Sequence, residues 1–144
     1  MKKDIIGTAP EERFDVLTKE ASERLTCPIS TVSIIDNDRE WYKSVVGLNE
    51  KQAPIAASFC VHAMKAKSVF LVEDTLNDPR FVNNPMVVNP PKIRAYAGVA
   101  LYDRKSEMPL GAFCVKDIKP RKFTVEEIDA LVDIASRVED ELNK

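Results

Sequence analysis

The sequence predicts an α+β fold in which helices at both ends of the chain flank a mainly antiparallel sheet. Two observations support this prediction. Both ends show apolar residues at helical spacing, and the segment between them is rich in β-branched residues grouped into strands with short turns. Strands joined by short turns pair antiparallel, because parallel pairing needs longer crossover connections. With 144 residues, the chain is expected to form one domain.

Each terminal helix has an expected start signal. Thr8 and Glu11 have the spacing of a capping box, with a proline in the first turn, and Cys27 followed by proline is expected to end this helix. Thr124 and Glu127 form a second capping box. The helix after it has a long apolar stripe, which consists of Val125, Ile128, Leu131, Val132, Ala135, Val138 and Leu142.

Five strands are predicted between the two helices. They comprise residues 29–35, 40–46, 68–72, 95–102 and 110–116. The strand at 95–102 is apolar on both faces, which indicates that both faces of the sheet are covered. The terminal helices are expected to cover one face. A short helix capped by Ser58 and the proline-rich segment 77–91 are expected to cover the other, and a cavity for a small molecule can form there.

The composition limits the function classes. A net charge of −2 gives no basic surface for nucleic acid, and no apolar run approaches the roughly 18 residues of a membrane helix. The three cysteines do not suggest a disulfide framework, so we expect a cytoplasmic protein with reduced thiols. His62 is the single histidine, which excludes sites that need two, and no metal is expected.

Six segments together carry a resemblance to one protein family. They are residues 28–36, 41–44, 58–63, 78–81, 94–98 and 110–115. In this order and at these separations they make the chain similar to the GAF domain, a sensory and regulatory module of many bacterial signalling proteins. The resemblance spans about residues 10–142, within a single domain expected over residues 1–144. It implies a PAS-related antiparallel sheet of five or six strands, with terminal helices on one face and a short helix and loop over the other.

The resemblance also implies a class of function. Family members bind cyclic nucleotides, bilins, haem or small metabolites, and some are structural modules, so the fold does not determine the ligand. The leading hypothesis is a sensory or regulatory domain that is not an enzyme. It would bind an unidentified small molecule, form a homodimer through its terminal helices, and act on an output domain or signalling partner.

The segment Cys60-Val61-His62 offers three kinds of chemistry. Bilin-binding relatives hold their chromophore through a cysteine directly followed by histidine, but Val61 intervenes here and a covalent bilin is not expected. A thiolate–imidazole pair and a metal site that includes Cys114 are the other two. On a helix, residues two apart lie about 200° apart, so Cys60 and His62 face opposite ways. This favours one residue in the core and the other at the pocket rim.

Two arginines lie close in sequence to aromatic residues: Arg80 precedes Phe81, and Arg94 lies two residues before Tyr96. At a cavity mouth, such a pair can hold a carboxylate or phosphate and stack a planar ring. The alternative is an internal ion pair in which Asp74 or Asp78 binds Arg80 or Arg94 and fixes the loop. The candidate ligand contacts are Phe59, Cys60, His62, Asp74, Arg80, Phe81, Arg94, Tyr96 and Phe113.

Two further hypotheses remain beside the sensor. The first is a ligand-free scaffold or dimerisation module with a filled core, and the second is a thiol-based redox sensor or reductase centred on Cys60. Aromatic side chains that fill the ligand side would favour the scaffold, whereas an open cavity would favour the sensor. These side chains are Phe59, Phe81, Tyr96 and Phe113.

Overall fold

A six-stranded antiparallel sheet forms the centre of the structure, a computed structural model that describes residues 5–66 and 68–144. The strands are β1 (Ile29–Asp36), β2 (Arg39–Val46), β3 (Gln52–Pro54), β4 (Phe70–Val72), β5 (Ala95–Tyr102) and β6 (Pro109–Asp117). The helices are α1 (Glu12–Leu25), α2 (Cys60–Lys65), α3 (Pro85–Val88) and α4 (Val125–Leu142). The strand order in the sheet is β3-β2-β1-β6-β5-β4, which places β1 and β6 at its centre.

The two faces of the sheet have separate apolar clusters. On one face, which we call the helix face, α1 and α4 pack on each other and on the sheet. On the other, which we call the loop face, α2 and the segment around α3 cover side chains such as Ile29, Tyr96 and Cys114. The predicted α+β class, the antiparallel sheet and the assignment of helices and loops to opposite faces are therefore confirmed.

The structure corrects the predicted start of the first helix. The Thr8 hydroxyl donates to the Ile5 carbonyl at 2.5 Å, and Lys43 Nζ donates to Thr8 Oγ1 at 2.7 Å and to the Ala9 carbonyl at 2.5 Å. These bonds keep the segment out of the helix. As a result, α1 begins at Glu12 without a side-chain cap, and the capping box predicted at Thr8 is wrong.

The strand prediction was also incomplete. β3 was missed because it has three residues and ends in proline, which gives no alternating pattern. It pairs with β2 through contacts such as Arg39 with Pro54. The strand predicted at 68–72 is shortened to Phe70–Val72. The short helix at Ser58 was predicted correctly in kind, but it begins at Cys60, and Ser58 Oγ accepts from the Val61 amide at 3.4 Å.

The capping box of α4 is confirmed and gives a first test of the fold. Thr124 Oγ1 accepts from the Glu127 amide at 3.1 Å, and Glu127 Oε1 accepts from the Thr124 amide at 2.8 Å. We expect Thr124→Ala to lower the free energy of unfolding by about 1 kcal/mol in urea titrations, because the Glu127 amide loses its side-chain acceptor. The control is Ser136→Ala at an exposed position inside α4. Equal losses for the two variants would contradict the capping role.

No helix in the described ranges 5–66 and 68–144 is long and apolar enough to cross a membrane.

Candidate functional site

The pairing register brings a set of polar side chains together on the loop face. Lys116 pairs with Ile29 on one side and with Tyr96 on the other, and Cys114 pairs with Thr31 and Gly98. Since paired residues of antiparallel strands point to the same face, these side chains share one surface of the sheet. Alternation along β6 therefore places a lysine and a cysteine, two residues apart, under the covering loops.

Lys116 is fully buried, and its Nζ has no hydrogen-bond partner among the residues that the structure describes. Three aromatic rings surround the amine, with Nζ 5.9 Å from the Tyr42 ring, 5.9 Å from Phe59 and 6.0 Å from Tyr96. Burial lowers the pKa of Lys116, but the neighbouring Cys114 and Glu40 outweigh that effect and raise it. The side chain is therefore a buried ammonium whose hydrogen-bonding capacity is unused.

Glu40 and Tyr42 extend this set from β2. The Glu40 carboxylate is almost fully buried, and its Oε2 accepts from the Cys60 thiol at 3.4 Å. The Tyr42 hydroxyl is buried and, within the described part of the chain, has no hydrogen-bond partner. Burial raises the pKa of Tyr42, which keeps it a neutral phenol able to donate one proton.

The two thiols of the loop face, Cys60 and Cys114, lie close enough for each to influence the pKa of the other. The neighbouring Cys114 thiol, together with burial, raises the pKa of Cys60. Burial also raises the pKa of Cys114, but the neighbouring Cys60 thiol and the charge of Lys116 outweigh it and lower that pKa. Cys114 is further contacted by Thr31 Oγ1 at 2.9 Å, and Cys60 Sγ accepts from the Tyr96 hydroxyl at 3.3 Å.

Aromatic rings pack over the polar set. Phe59 stacks on Phe81 with centroids 4.4 Å apart and on Tyr96 at 5.1 Å. His62 lies at the edge of this stack, 4.9 Å from the Phe81 ring and 5.8 Å from Phe70. Burial and the nearby Arg80 charge lower the pKa of His62. As predicted, Cys60 points into the core while His62 lies at the rim.

The predicted arginines, Arg80 and Arg94, form hydrogen bonds within the segment that covers the loop face. The Arg80 guanidinium donates to Asp78 at 3.0 Å and 2.6 Å. Arg94 donates to the Val87 carbonyl at 3.0 Å, and Asp74 accepts from the Leu76 amide at 3.1 Å. These contacts match the alternative considered above for Arg80, an internal ion pair that fixes the loop.

One predicted residue lies on the wrong face, and three that matter were missed. Phe113 packs in the helix-face cluster, because alternation along β6 places Cys114 and Lys116 toward the loops and the residues between them toward the helices. Glu40, Tyr42 and Lys116 were absent from the candidate set. The lysine in an otherwise apolar strand, two residues after Cys114, was the signal available in the sequence.

A small cavity opens beside this set. It has a volume of about 270 Å³ and lies between β2, β3 and the loop around α3. The cavity wall includes Tyr42, Ala57, Met86 and Asn89. A larger groove of about 720 Å³ lies along β2 near the helix face, but its buried amine, Lys43, is already bonded by Thr8, Ala9 and Glu11.

No cluster of three or more histidine, cysteine, aspartate or glutamate side chains that could hold a metal ion is found among residues 5–66 and 68–144.

The sheet order and the two unlike covering layers define a class of fold, an antiparallel α+β domain in which helices pack on one face of the sheet and loops on the other. The chain belongs to the GAF domain family, whose model matches residues 9–142. GAF domains are sensory modules of signalling proteins, so this result confirms the family resemblance found in the sequence.

The chain is 37% identical over 134 residues to a cyclic di-GMP phosphodiesterase of Pseudomonas aeruginosa. The match covers 93% of this chain and 23% of the relative, so the chain spans less than a quarter of that protein's length.

Two solved structures have a similar fold. One is the type II free methionine-R-sulfoxide reductase from Thermoplasma acidophilum, with a TM-score of 0.69, 14% identity, and coverage of 89% of this chain and 88% of that one. The other is the GAF domain of an Acinetobacter phosphoenolpyruvate-protein phosphotransferase, with a TM-score of 0.68, 14% identity, and coverage of 96% and 85%. At these identities, the likeness concerns the fold.

Proposed function

We propose that this GAF domain is a regulatory sensor that binds a small polar molecule on the loop face and does not itself catalyse a reaction. The single observation that carries the proposal is the buried Lys116 ammonium without a hydrogen-bond partner among the described residues. Buried polar groups in folded proteins nearly always have partners, and one that lacks them calls for an explanation. A ligand with an acceptor group would supply the missing partner.

The neighbours of Lys116 support a binding site rather than an isolated defect. The Tyr42 hydroxyl also lacks a partner in the described ranges, and the Glu40 carboxylate accepts a bond from a thiol alone. Tyr42 lines the 270 Å³ cavity, and its ring lies 5.9 Å from Lys116 Nζ. Movement of this one ring would connect the cavity to the buried polar groups.

The loop around α3 is the covering element that would move on binding. Asn84 Nδ2 donates to the Ala57 carbonyl at 3.3 Å, a single side-chain bond that links this loop to the segment before α2. A ligand that binds the closed loop more tightly than the open loop shifts the equilibrium between these two conformations toward the closed one. The size of the shift is set by the difference between the two affinities.

β6 offers a path from the loop face to the terminal helices. Asp117 follows Lys116 directly, and its Oδ2 lies 3.1 Å from Arg121 Nη1. Arg121 also donates to the Thr26 carbonyl at the end of α1 at 3.2 Å and pairs with Glu127 in the first turn of α4. A change at Lys116 would thereby reach the ends of both helices that are expected to contact an output domain.

A ligand-free scaffold is the second candidate, and the aromatic packing favours it. Phe59, Phe81 and Tyr96 are fully buried on the loop face and fill most of the space that a ligand would need. The scaffold would act as a homodimer through α4. Most of the α4 stripe is buried against the sheet and α1, but Val125 and Val132 remain 70% and 43% exposed on the same side. We propose this strip as the dimer contact.

Native mass spectrometry of protein purified from bacterial cells tests the sensor. We expect an added mass that disappears on denaturation and is reduced at least about tenfold in Tyr42→Phe, a loss of roughly 1.4 kcal/mol of binding free energy. This variant removes only a hydroxyl that has no partner in the described structure, so the fold is retained. Tyr102→Phe, at an exposed position on β5, is the matched control and is expected to keep the added mass.

Two outcomes would reject the sensor. One is a bound molecule that Tyr42→Phe and Tyr102→Phe retain equally, which would place the site elsewhere. The other is wild-type protein without any added mass after incubation with a small-molecule extract of the same cells. If sedimentation then showed a dimer, the scaffold would be the better description.

A further inference from the structure

We propose that Cys60 and Cys114 form a redox-active pair that closes to a disulfide when the domain meets a hydroperoxide. Three linked observations place Cys60 beside Cys114. The Tyr96 hydroxyl donates to Cys60 Sγ at 3.3 Å. The same hydroxyl lies directly over Gly98, where a Cβ atom would be 2.3 Å from it. Gly98 is the register partner of Cys114.

The position of Gly98 explains why the thiols meet. With no side chain at this position, the Tyr96 ring lies along β5 over Gly98, and its hydroxyl contacts the Cys60 side chain there. Paired residues of antiparallel strands have Cα atoms about 4.5–5.5 Å apart, so a group above Gly98 is next to Cys114. The effect of each thiol on the pKa of the other agrees with this placement.

The charges around the pair suit it to oxidation. The thiolate is the reactive form of cysteine, and it forms readily beside a cation. Cys114 has the Lys116 ammonium as a neighbour, and although burial opposes it, the pKa of Cys114 is lowered by the nearby Cys60 thiol and by this charge. Cys27 differs, since it lies in the helix-face cluster and burial raises its pKa to about 12.

The reaction consumes one hydroperoxide and two thiols. The Cys114 thiolate attacks one peroxide oxygen, the O–O bond breaks, and a sulfenic acid forms while the leaving oxygen takes a proton to become water or an alcohol. The Cys60 sulfur then attacks the Cys114 sulfur, the S–S bond forms, the S–O bond breaks, and water leaves with the Cys60 proton. The two sulfurs together lose two electrons, which the hydroperoxide gains.

Access to the buried pair is provided by α2. Cys60 is the first residue of this six-residue helix, whose N-cap residue, Phe59, gives no side-chain hydrogen bond. Short elements with few backbone bonds open locally at a low free-energy cost, so a molecule as small as hydrogen peroxide can reach the sulfurs without global unfolding.

Peptide mapping of the native protein after treatment with hydrogen peroxide tests this proposal. We expect the intact mass to fall by two hydrogen atoms, a cross-linked peptide pair that contains Cys60 and Cys114, and reversal by a dithiol reductant. Cys27→Ser should give the same result, and Cys60→Ser should abolish the mass change. Because the cross-link is mapped in the wild-type protein, a folding defect of Cys60→Ser would not affect the conclusion.

Three results would overturn the proposal. The first is an unchanged native mass at peroxide concentrations that oxidise the thiols of the denatured protein. The second is a disulfide that contains Cys27, and the third is oxidation of either cysteine to sulfinic acid without a cross-link. None of these three results concerns ligand binding, because disulfide formation requires only a hydroperoxide. If the disulfide proposal failed, the proposed sensor function would therefore be unaffected.

Discussion

Replacement of Phe59 by alanine is expected to lower the free energy of unfolding by about 4 kcal/mol, the range found for large aromatic residues removed from a packed core. Phe59 is fully buried and stacks on Phe81 and Tyr96 at 4.4 Å and 5.1 Å. It also precedes α2 as the N-cap residue and packs near the Lys116 amine at 5.9 Å. Its loss leaves a cavity in the middle of the loop face.

Urea denaturation of the purified domain measures this effect. The matched control is Leu71→Ala on β4, where the side chain is 37% exposed, and we expect it to cost less than about 1 kcal/mol. A loss of less than about 1 kcal/mol for Phe59→Ala would mean that the loop face is loosely packed, in conflict with the stacked rings of the structure.

Much of the fold could be predicted because its signals are local. The stripes of α1 and α4, the capping box at Thr124 and the β-branched strand at Ile29–Asp36 each depend on neighbours within one or two turns or on simple alternation. The candidate contacts Phe59, Cys60 and Tyr96 lie in one apolar cluster on the loop face. These predictions needed no knowledge of the register between distant strands.

The centre of the candidate site depends on that register, and the sequence alone does not define it. β6 is apolar on both faces, so its alternation does not reveal whether Phe113 or Cys114 faces the helices. A bulge between Val32 and Ser33 shifts the pairing with β2 and turns Tyr42 toward the loop face. Lys116 looks like an ordinary surface lysine until its pairing with Tyr96 places it under Phe59.

Arg80 is the opposite case, a residue that the sequence indicates as a ligand contact but that pairs with a neighbour in the chain. Arg80 and Phe81 are adjacent and look like a ligand clamp, but Asp78 is two residues away and captures the guanidinium in two hydrogen bonds. The carboxylate and the arginine are held in one turn, so little chain entropy is lost when they pair. A local ion pair of this kind forms without any ligand. The structure therefore shows the internal ion pair considered above as the alternative for Arg80.

Glu40 and Lys116 are expected to depend on each other for stability. Both side chains are buried, and each influences the environment of the Cys60 and Cys114 thiols. Burial lowers the pKa of Lys116, whereas Cys114 and then the Glu40 carboxylate raise it, so Glu40 contributes part of the attraction that keeps the ammonium charged. Removal of one partner leaves the other as a buried charge without compensation, and such losses are about 3 kcal/mol or more.

A double-mutant cycle separates this coupling from packing effects. We expect Glu40→Gln and Lys116→Met each to lower the free energy of unfolding by about 3 kcal/mol. The double variant should cost less than the sum of the two by about 2 kcal/mol, because it removes both charges together. Lys43→Met is the control, since Lys43 is a second buried lysine but is bonded to Thr8 and Ala9 near the helix face. The loss in the free energy of unfolding caused by Lys43→Met should simply add to that caused by Glu40→Gln. Simple additivity in the Glu40–Lys116 cycle would show that the two charges do not interact, and the compensation of Lys116 would then come from Cys114 or a bound ligand.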